Sequence, residues 1–154
     1  MQAQFGLTSD VPLAMDYEGD GHANIGVYRA SEGTWYIARP TGVPNQNFYA
    51  IQFGLSSDRP VPADYDGDNH EDIAVFRPSN GIWYILRSST GSVDYVQWGT
   101  STDVLVPGDY DGDGRDDQAV FRSGVWWLNR STAGPTSASF GLASDITIPN
   151  QYIP

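Results

Sequence analysis

Carboxylate side chains recur at alternate positions in short, glycine-rich segments of this sequence. Two segments place aspartate at positions 1, 3, 5 and 9 of a nine-residue loop, and these are Asp64, Asp66, Asp68 and Asp72, and then Asp109, Asp111, Asp113 and Asp117. Ca²⁺ is a hard cation that takes about six to eight oxygen ligands at about 2.3–2.6 Å, so several carboxylates must converge on it. Without a cation, carboxylates held this close would repel one another strongly. The spacing therefore predicts a calcium site in each loop.

The other loop positions fit the same prediction. Position 6 is Asn69 in one loop and Gly114 in the other, and these residue types most easily adopt the positive φ of a sharp turn. Position 7, which is His22, His70 or Arg115, is expected to contribute its backbone carbonyl oxygen while its side chain points to solvent. The aspartate at position 9 is expected to bind in bidentate fashion and to tie the loop to the next strand.

A third loop, nearest the amino terminus, departs from this pattern. Its predicted ligands are Asp16, Glu18, Asp20, the carbonyl oxygen of His22, and Asn24. Glutamate replaces aspartate at position 3 and asparagine replaces it at position 9, so the loop has one carboxylate fewer and one longer side chain. We therefore expect it to be the weakest of three calcium sites.

Other interpretations of the loops are less well supported. An EF-hand requires glutamate at position 12 and flanking helices, whereas this chain has Val75 and Val120 there, within strand-like segments. Mg²⁺ prefers to keep several waters and seldom uses an all-protein cage. Asp-Gly clusters also form ordinary turns, but three copies at matching places in the chain favour a metal.

The loops belong to a repeat that covers the chain. The spacing from Asp16 to Asp64 is 48 residues, and that from Asp64 to Asp109 is 45. We divide residues 1–154, a single repeat domain, into repeats at about 5–52, 53–97 and 98–139 and a partial, capping repeat at 140–154. In the partial repeat Gln151 stands where the first loop aspartate would be.

Each repeat has the pattern of short strands separated by turns. In the second repeat the segments 72–77 and 81–87 are rich in β-branched and aromatic residues, and they flank a turn at 78–81. A third strand at 93–98 alternates, and a short strand at 61–63 leads into the loop. The two inner strands are nearly continuous apolar runs, so both of their faces should be buried. We predict an all-β fold of β-propeller-type blades, each with four short antiparallel strands.

The number of repeats does not determine how such a propeller would close into a ring. Propellers typically have about 4–8 blades, and this chain has three repeats and a partial fourth. An open stack would expose apolar blade faces, which favours a homo-oligomer, or neighbouring repeats of a longer chain, as partners. A threefold, β-trefoil-like closed fold is the alternative, although strands buried on both faces argue against it.

Three motifs carry a resemblance to a known family: the loop pattern D-x-D-x-D-G-x-x-D, Ala74–Pro78 (AVFRP) and Gly81–Ile85 (GIWYI), with a Gln-Phe-Gly motif between repeats. Together they resemble the FG-GAP/VCBS-type repeats of bacterial secreted and surface proteins, and the loop is similar to the calcium loops of integrin α-chain propellers. The resemblance covers almost the whole chain and implies four-stranded blades with Ca²⁺ bound in the loops. Because that family is a scaffold with many functions, the resemblance says little about a specific ligand.

Two further sets of residues repeat with the loops. The aromatic pairs are Trp35–Tyr36, Trp83–Tyr84 and Trp126–Trp127. We interpret them as blade core rather than as platforms for stacking sugars. The charged residues are Arg29, Arg77 and Arg122, and Asp10, Asp58, Asp103 and Asp145. Their co-repetition predicts bidentate Arg–Asp ion pairs within or between blades.

Composition limits the remaining function classes. The formal net charge of −11 argues against nucleic acid as a partner, because phosphate binding needs clustered cations. The chain has no cysteine and no apolar run long enough to span a membrane, so neither disulfides nor membrane insertion are expected. The two histidines lie in the predicted metal loops and no Ser–His–Asp set is evident, so we do not expect an enzyme.

These observations favour a calcium-binding extracellular module with a structural or adhesive role, secreted or at the cell surface. Millimolar extracellular calcium can saturate weak modular sites. A carbohydrate-binding, lectin-like module is the alternative function. The expected partners are copies of the same chain, neighbouring repeats, glycans or surface proteins.

Overall fold

The structure, a computed structural model, describes residues 5–39 and 47–148 of the chain. These residues form twelve β-strands and no helix, so the prediction of an all-β fold is confirmed. Accordingly, this part of the chain contains no helix with the length and apolar character needed to cross a membrane. The strands are β1 (Val11–Met15), β2 (Asn24–Arg29), β3 (Thr34–Ala38), β4 (Phe48–Gln52), β5 (Arg59–Pro60), β6 (Ile73–Arg77), β7 (Ile82–Leu86), β8 (Val93–Gln97), β9 (Val104–Leu105), β10 (Gln118–Arg122), β11 (Val125–Arg130) and β12 (Gly134–Ser139).

The strands form three separate sheets of four, each with its strands in chain order. Within each of the sheets β1–β4, β5–β8 and β9–β12, neighbouring strands pair antiparallel. A threefold closed fold would need ladders between repeats, and no ladder joins two sheets among the described residues, so that alternative is wrong for this part of the chain. The arrangement is that of propeller-like blades. Residues 149–154 of the predicted capping repeat lie outside the described residues.

The first strand of the second blade differs from the prediction. It comprises Arg59–Pro60, slightly before the expected segment. The Val61 N–H nevertheless donates to the Ala74 carbonyl oxygen (2.8 Å), and Ala63 forms an isolated bridge with Asp72. The chain therefore stays beside β6 as far as the metal loop, and this fixes the place where the loop begins.

Apolar side chains fill the space within each blade and between neighbouring blades. The central strand β6 is buried except at its last residue, which confirms that both of its faces are covered. Its residues Ile73 and Val75 pack against Trp35 and Ile37 of the first blade. In the same way, Val120 of the third blade joins the core of the second. The second and third blades thus each present an apolar face to the blade before them.

The tryptophans of the first two repeats belong to this core, whereas in the third repeat Trp126 is half-buried and Trp127 is exposed, so the core prediction is wrong for Trp127. Trp35 and Trp83 are fully buried, which confirms the core interpretation for both and excludes them as sugar-stacking platforms. Their indole N–H groups donate to the backbone carbonyl oxygens of Phe53 (2.9 Å) and Trp98 (2.8 Å). Phe53 and Trp98 begin the next repeat, so each tryptophan attaches the start of one repeat to the blade before it.

The predicted Arg–Asp ion pairs form in all three blades, each through two hydrogen bonds. They join Arg29 to Asp10, Arg77 to Asp58 and Arg122 to Asp103. The aspartate side chains are almost completely buried, and each guanidinium lies over an aromatic ring of the neighbouring strand. Because a buried carboxylate without a partner is costly, each aspartate depends on its arginine.

We expect Arg77→Ala to lower the free energy of unfolding by about 3–5 kcal/mol, because it leaves the buried Asp58 carboxylate without a partner. The matched control is Arg87→Ala, which breaks the more exposed pair with Asp94 and should cost at most about 1 kcal/mol. Urea unfolding followed by tryptophan fluorescence in calcium-containing buffer measures both. Equal losses in the two variants would show that the buried pair has no special role.

Candidate metal centre

Each predicted loop connects the first and second strands of its blade. In the second blade Asp72 directly precedes β6 and is completely buried, and its bridge to Ala63 holds the two ends of the loop together. Asp117 has the same position in the third blade, where it is bridged to Gly108. Because the sheet fixes both ends, the residues between them fold back and turn alternate side chains inward.

The structure brings three carboxylates together in each of the two complete loops. Their oxygen atoms lie within 4.8 Å of one another, and the groups are Asp64, Asp66 and Asp72, and Asp109, Asp111 and Asp117. Oxygen atoms bound to one Ca²⁺ at about 2.4 Å are at most about 4.8 Å apart, so each group fits around a single ion of that size. We call these groups the second-blade cluster and the third-blade cluster.

The first aspartate of each cluster also shapes the loop backbone. Asp64 Oδ1 accepts hydrogen bonds from the N–H groups of Gly67 (2.7 Å) and Asp68 (3.2 Å), and its Oδ2 accepts one from Asn69 (2.8 Å). Asn69 has the positive φ predicted for position 6 (66°), and so does Gly114 (85°) in the third blade. The residue types at position 6 are therefore explained by the turn that they form.

One carboxylate oxygen in each cluster is buried and has no hydrogen-bond partner among the described residues. These atoms are Oδ1 of Asp66 and Oδ1 of Asp111, which occupy the same loop position in different blades. Their other oxygens accept hydrogen bonds, from the Ser89 hydroxyl (2.6 Å) and from the Ala133 N–H (2.7 Å) respectively. A buried charged oxygen without a partner is costly. Its occurrence at equivalent positions is the arrangement expected where a cation supplies the missing interaction.

The structure does not place the position 5 aspartates in the clusters. Asp68 Oδ2 accepts a hydrogen bond from the Ser88 hydroxyl (2.9 Å), and Asp113 Oδ2 accepts one from the Ser131 hydroxyl (2.6 Å). Both aspartates thus link the loop to the segment that follows the third strand of the blade. Direct binding of a metal by Asp68 and Asp113 stays a prediction.

The first loop gathers no comparable cluster of acidic or histidine side chains among the described residues. Glu18 Oε1 accepts a hydrogen bond from the Tyr49 hydroxyl (3.0 Å). Asn24 Oδ1 accepts the N–H of Tyr17 (3.0 Å), and its amide nitrogen donates to the Ala38 carbonyl oxygen (3.4 Å). The side chains of Glu18 and Asn24, which replace aspartates of the other loops, therefore form hydrogen bonds with protein groups. A site in this loop stays a prediction, with the ligands Asp16, Glu18, Asp20, His22 and Asn24.

The side chains at position 7 differ from the expectation that all point to solvent. His22 is exposed as predicted, but His70 packs on the loop of the blade before it. A β carbon added at Gly19 would lie 2.5 Å from the His70 Nε2 atom. The stem of Arg115 packs over Gly67 in the same manner, with a corresponding distance of 2.9 Å. The prediction for His70 was wrong because contact between neighbouring blades, which no single repeat reveals, determines its direction.

Position 8 carries carboxylates that the loop pattern did not single out. The N–H of Glu71 donates to the Asp16 carbonyl oxygen (2.9 Å), and the N–H of Asp116 donates to that of Asp64 (2.7 Å). Burial raises the pKa of Glu71 to about 7 and that of Asp116 to about 6. These residues therefore lie in the interface between neighbouring loops. Their presence in the second and third loops, with Ala23 in the first, is the signal that could have identified them.

The sequence analysis also did not identify two serines whose N–H groups donate to the position 9 aspartates. The N–H groups of Ser88 and Ser131 donate to Oδ1 of Asp72 and Oδ1 of Asp117, at 2.7 Å each. Both serines follow an arginine in an Arg-Ser dipeptide, whereas the first repeat has Pro40 at this place, which has no N–H to donate. The first repeat thus lacks both the donor and the carboxylate, since it has asparagine at position 9.

Burial also perturbs the acids inside the clusters. It raises the pKa of Asp72 to about 6, although the Ser88 N–H opposes the effect, and it raises the pKa of Asp117 for the same reason. In contrast, the backbone N–H groups around Asp109 outweigh its desolvation and lower its pKa. Burial therefore disfavours the charged form of the position 9 carboxylates, even though backbone N–H groups donate to both oxygens of each.

Comparison of this chain with protein-family models, with curated proteins and with solved structures finds no match. Its class therefore follows from the fold and the site. It is an all-β protein with three propeller-like blades, two of which carry an aspartate cluster that could hold a metal ion.

The effect of calcium on stability should grow as the pH rises through about 6. Asp72 has a pKa of about 6 in the folded chain and about 3.9 when unfolded. Its protonated form therefore contributes stability that is complete below about pH 4 and is lost as the pH rises through about 6. Since Ca²⁺ takes the place of that proton, the increase in melting temperature caused by calcium should be larger at about pH 7.5 than at about pH 5.

Circular dichroism melts with and without Ca²⁺ across this pH range measure the effect. The matched control is Asp72→Asn, which reproduces the residue type of Asn24 and should reduce the pH dependence of the calcium-free protein, to which Glu71 and Asp116 also contribute. An increase in melting temperature of the same size at both pH values would contradict the prediction.

Proposed function

We propose that this chain is a calcium-binding structural module in which Ca²⁺ holds the loops of the blades in place. The observation that carries the proposal is the buried, unpartnered oxygen at the same position of both clusters, on Asp66 and on Asp111. Both clusters offer only oxygen ligands, which suit a hard cation better than zinc or copper, since those metals favour nitrogen and sulfur. Ca²⁺ accepts an irregular set of about 6–8 oxygens, whereas Mg²⁺ demands near-ideal octahedral geometry.

The ion would join parts of the blade that are distant in the chain. Asp72 is fixed at the start of β6, while Asp64 and Asp66 lie at the other end of the loop. The same loop reaches the segment after β7 through the hydroxyl groups of Ser88 and Ser89. A cation that fixes the loop therefore also fixes three strands of the blade relative to one another.

The resemblance to FG-GAP/VCBS-type repeats supports the choice of calcium and an extracellular setting, secreted or at the cell surface. In that setting the module has a structural or adhesive role, with copies of itself, neighbouring repeats or surface proteins as partners. The grouped carboxylates serve the ion and not a reaction, because a carboxylate bound to a cation is a poor general acid.

Isothermal titration calorimetry should detect strong calcium binding at the second-blade and third-blade clusters, and weaker binding at the first loop. Asp72→Asn and Asp117→Asn should each weaken binding at one strong site by about tenfold or more, equivalent to about 1.4 kcal/mol or more. The matched control is Asp94→Asn, which makes the same charge change outside the loops and should leave binding unchanged. Strong calcium binding that survives undiminished in the Asp72→Asn/Asp117→Asn double variant would refute the proposal.

A carbohydrate-binding module is a second candidate, favoured by one surface feature. Trp127 is 39% exposed and, with Trp98, lines an open groove of about 380 Å³ beside β12. Tryptophan faces combine a large apolar area with a polar N–H, which suits stacking on a sugar ring.

A glycan array would test this candidate. If the groove binds sugars, Trp127→Ala should lose the signal while Tyr95→Ala, which removes an exposed aromatic ring elsewhere, should retain it. A wild-type protein that binds no glycan on the array would exclude the lectin-like function.

A further inference from the structure

The segment 140–148 begins like the start of a further blade. The Phe140 N–H donates to the Gly124 carbonyl oxygen (3.0 Å), and the indole N–H of Trp126 donates to the Phe140 carbonyl oxygen (3.0 Å). These are the bonds that attach Phe53 to the first blade. The segment is therefore seated on the third blade as the start of the second repeat is seated on the first blade.

The aspartate of this segment has no arginine. The Leu142 N–H donates to Asp145 Oδ2 (2.8 Å), as the Leu55 N–H does to Asp58 (2.9 Å), so the turn is complete. Asp58, however, is paired with Arg77, whereas Asp145 forms no ion pair among the described residues. A carboxylate is thus presented in the geometry that binds an arginine elsewhere in the chain.

Ile148 of the segment is exposed where its counterparts are buried. Ile148 is 75% exposed, while Val61 and Val106 at the same repeat position are 5% and 0% exposed. Phe140 is 78% exposed, whereas its counterparts Phe53 and Trp98 are half-buried. Among the described residues no strand pairs with this segment. A segment whose backbone is unpaired and whose apolar side chains are exposed can pair with the edge of another sheet.

The first blade carries the complementary half of such a junction. Ile73 of the second blade is only 2% exposed because it packs against the first blade, but Ile25 at the same position of the first blade is 55% exposed. The face of the first blade that would meet a preceding blade is therefore uncovered at Ile25, whereas Val27, at the position of Val75, is buried with Gly6 of its own repeat packed against it.

The aspartate-rich loops also leave one surface uncovered at each end of the row of blades. His70 covers Gly19 and Arg115 covers Gly67, so each position 7 side chain packs on the preceding loop. Gly112 has no atom within 4 Å of an added β carbon, and His22 is exposed. One chain therefore carries both halves of a contact that it forms twice internally.

We propose that residues 140–148 insert into the first blade of a second copy of this chain, as its first strand, in place of residues 5–13 of that copy. The inference rests on the proposed structural-module function and names the surface through which the modules associate. The occupant is a second copy because the exposed donor segment and the uncovered acceptor blade belong to the same chain.

The internal junctions define how the two copies fit. Pro60 lies opposite Val75 and Leu105 opposite Val120, which places Thr147 opposite Val27 of the second copy. Asp145 then forms the bidentate pair with Arg29 of the second copy, in place of that copy's Asp10. Reciprocal exchange between two copies of three blades closes a ring of six, within the usual range of about 4–8 for propellers.

Sedimentation velocity in calcium-containing buffer tests the exchange on the full chain. Wild type should form dimers of twice the 16.8 kDa chain mass. Asp145→Asn removes no ion pair within the chain, so it should leave the melting temperature of the monomer unchanged while raising the dimer dissociation constant at least about tenfold. Asp10→Asn weakens the resident strand and frees Arg29, so it should lower that constant.

The double variant Asp10→Asn/Asp145→Asn distinguishes exchange from nonspecific association. In the double variant the dimer dissociation constant should no longer fall as it does in Asp10→Asn, because the incoming strand then has no carboxylate to pair with Arg29. Equal association of Asp10→Asn and the double variant would overturn the proposal, as would a wild type that stays monomeric at high concentration. Calorimetry of Asp145→Asn should still show calcium binding, so failure of the exchange is separable from failure of the calcium function.

Crosslinking gives a second readout, since the chain has no cysteine of its own. A mixture of Thr147→Cys and Val27→Cys chains should form a heterodisulfide under mild oxidation, and each variant alone should not form its homodimer. A mixture that gives no more disulfide than the separate variants would contradict the proposed register.

Discussion

The convergence of carboxylates in the blade loops is the constraint on which the rest of the structure depends. The sheet fixes and buries Asp72 at one end of a loop whose other end begins at Asp64. Repulsion among the charges is partly offset by backbone N–H groups, three of which reach Asp64 and two of which reach Asp72. None reaches Oδ1 of Asp66, which is left buried. A cation bound by the cluster, as proposed, would satisfy this oxygen and the remaining charge together.

The same loops connect one blade to the next. The carbonyl oxygens of Asp16 and Asp64 each accept an N–H from position 8 of the following loop, and His70 covers a glycine of the preceding one. Asp64 therefore contributes its side chain to the cluster and its backbone carbonyl oxygen to the interface with the third blade. In the proposed function, this arrangement would couple metal binding to the stacking of blades, and a bound ion would stabilise more than the loop that holds it.

Features that arise within one repeat could be predicted from the sequence. The loop positions of Asp64, Asp66 and Asp72, the burial of β6 and the Arg77–Asp58 pair all follow from local spacing and co-repetition. The prediction that the other inner strand is buried on both faces was wrong, because β7 alternates between buried and half-buried residues. Features that arise between elements could not. The Asp68 side chain turns to a serine after the third strand, and His70 turns to the preceding loop, because packing of the assembled blades places those partners nearby. The residue pattern of a single repeat does not indicate which residues of other strands or blades will lie next to it.

The central claim is that a calcium ion occupies each aspartate cluster and takes the oxygen that the protein leaves without a partner. Anomalous diffraction from crystals grown in millimolar Ca²⁺ tests it most directly. The predicted result is a peak in both clusters, at about 2.3–2.6 Å from carboxylate oxygens that include Oδ1 of Asp66 and Oδ1 of Asp111. Clusters without a peak, or ions bound elsewhere while these two oxygens stay unpartnered, would contradict it.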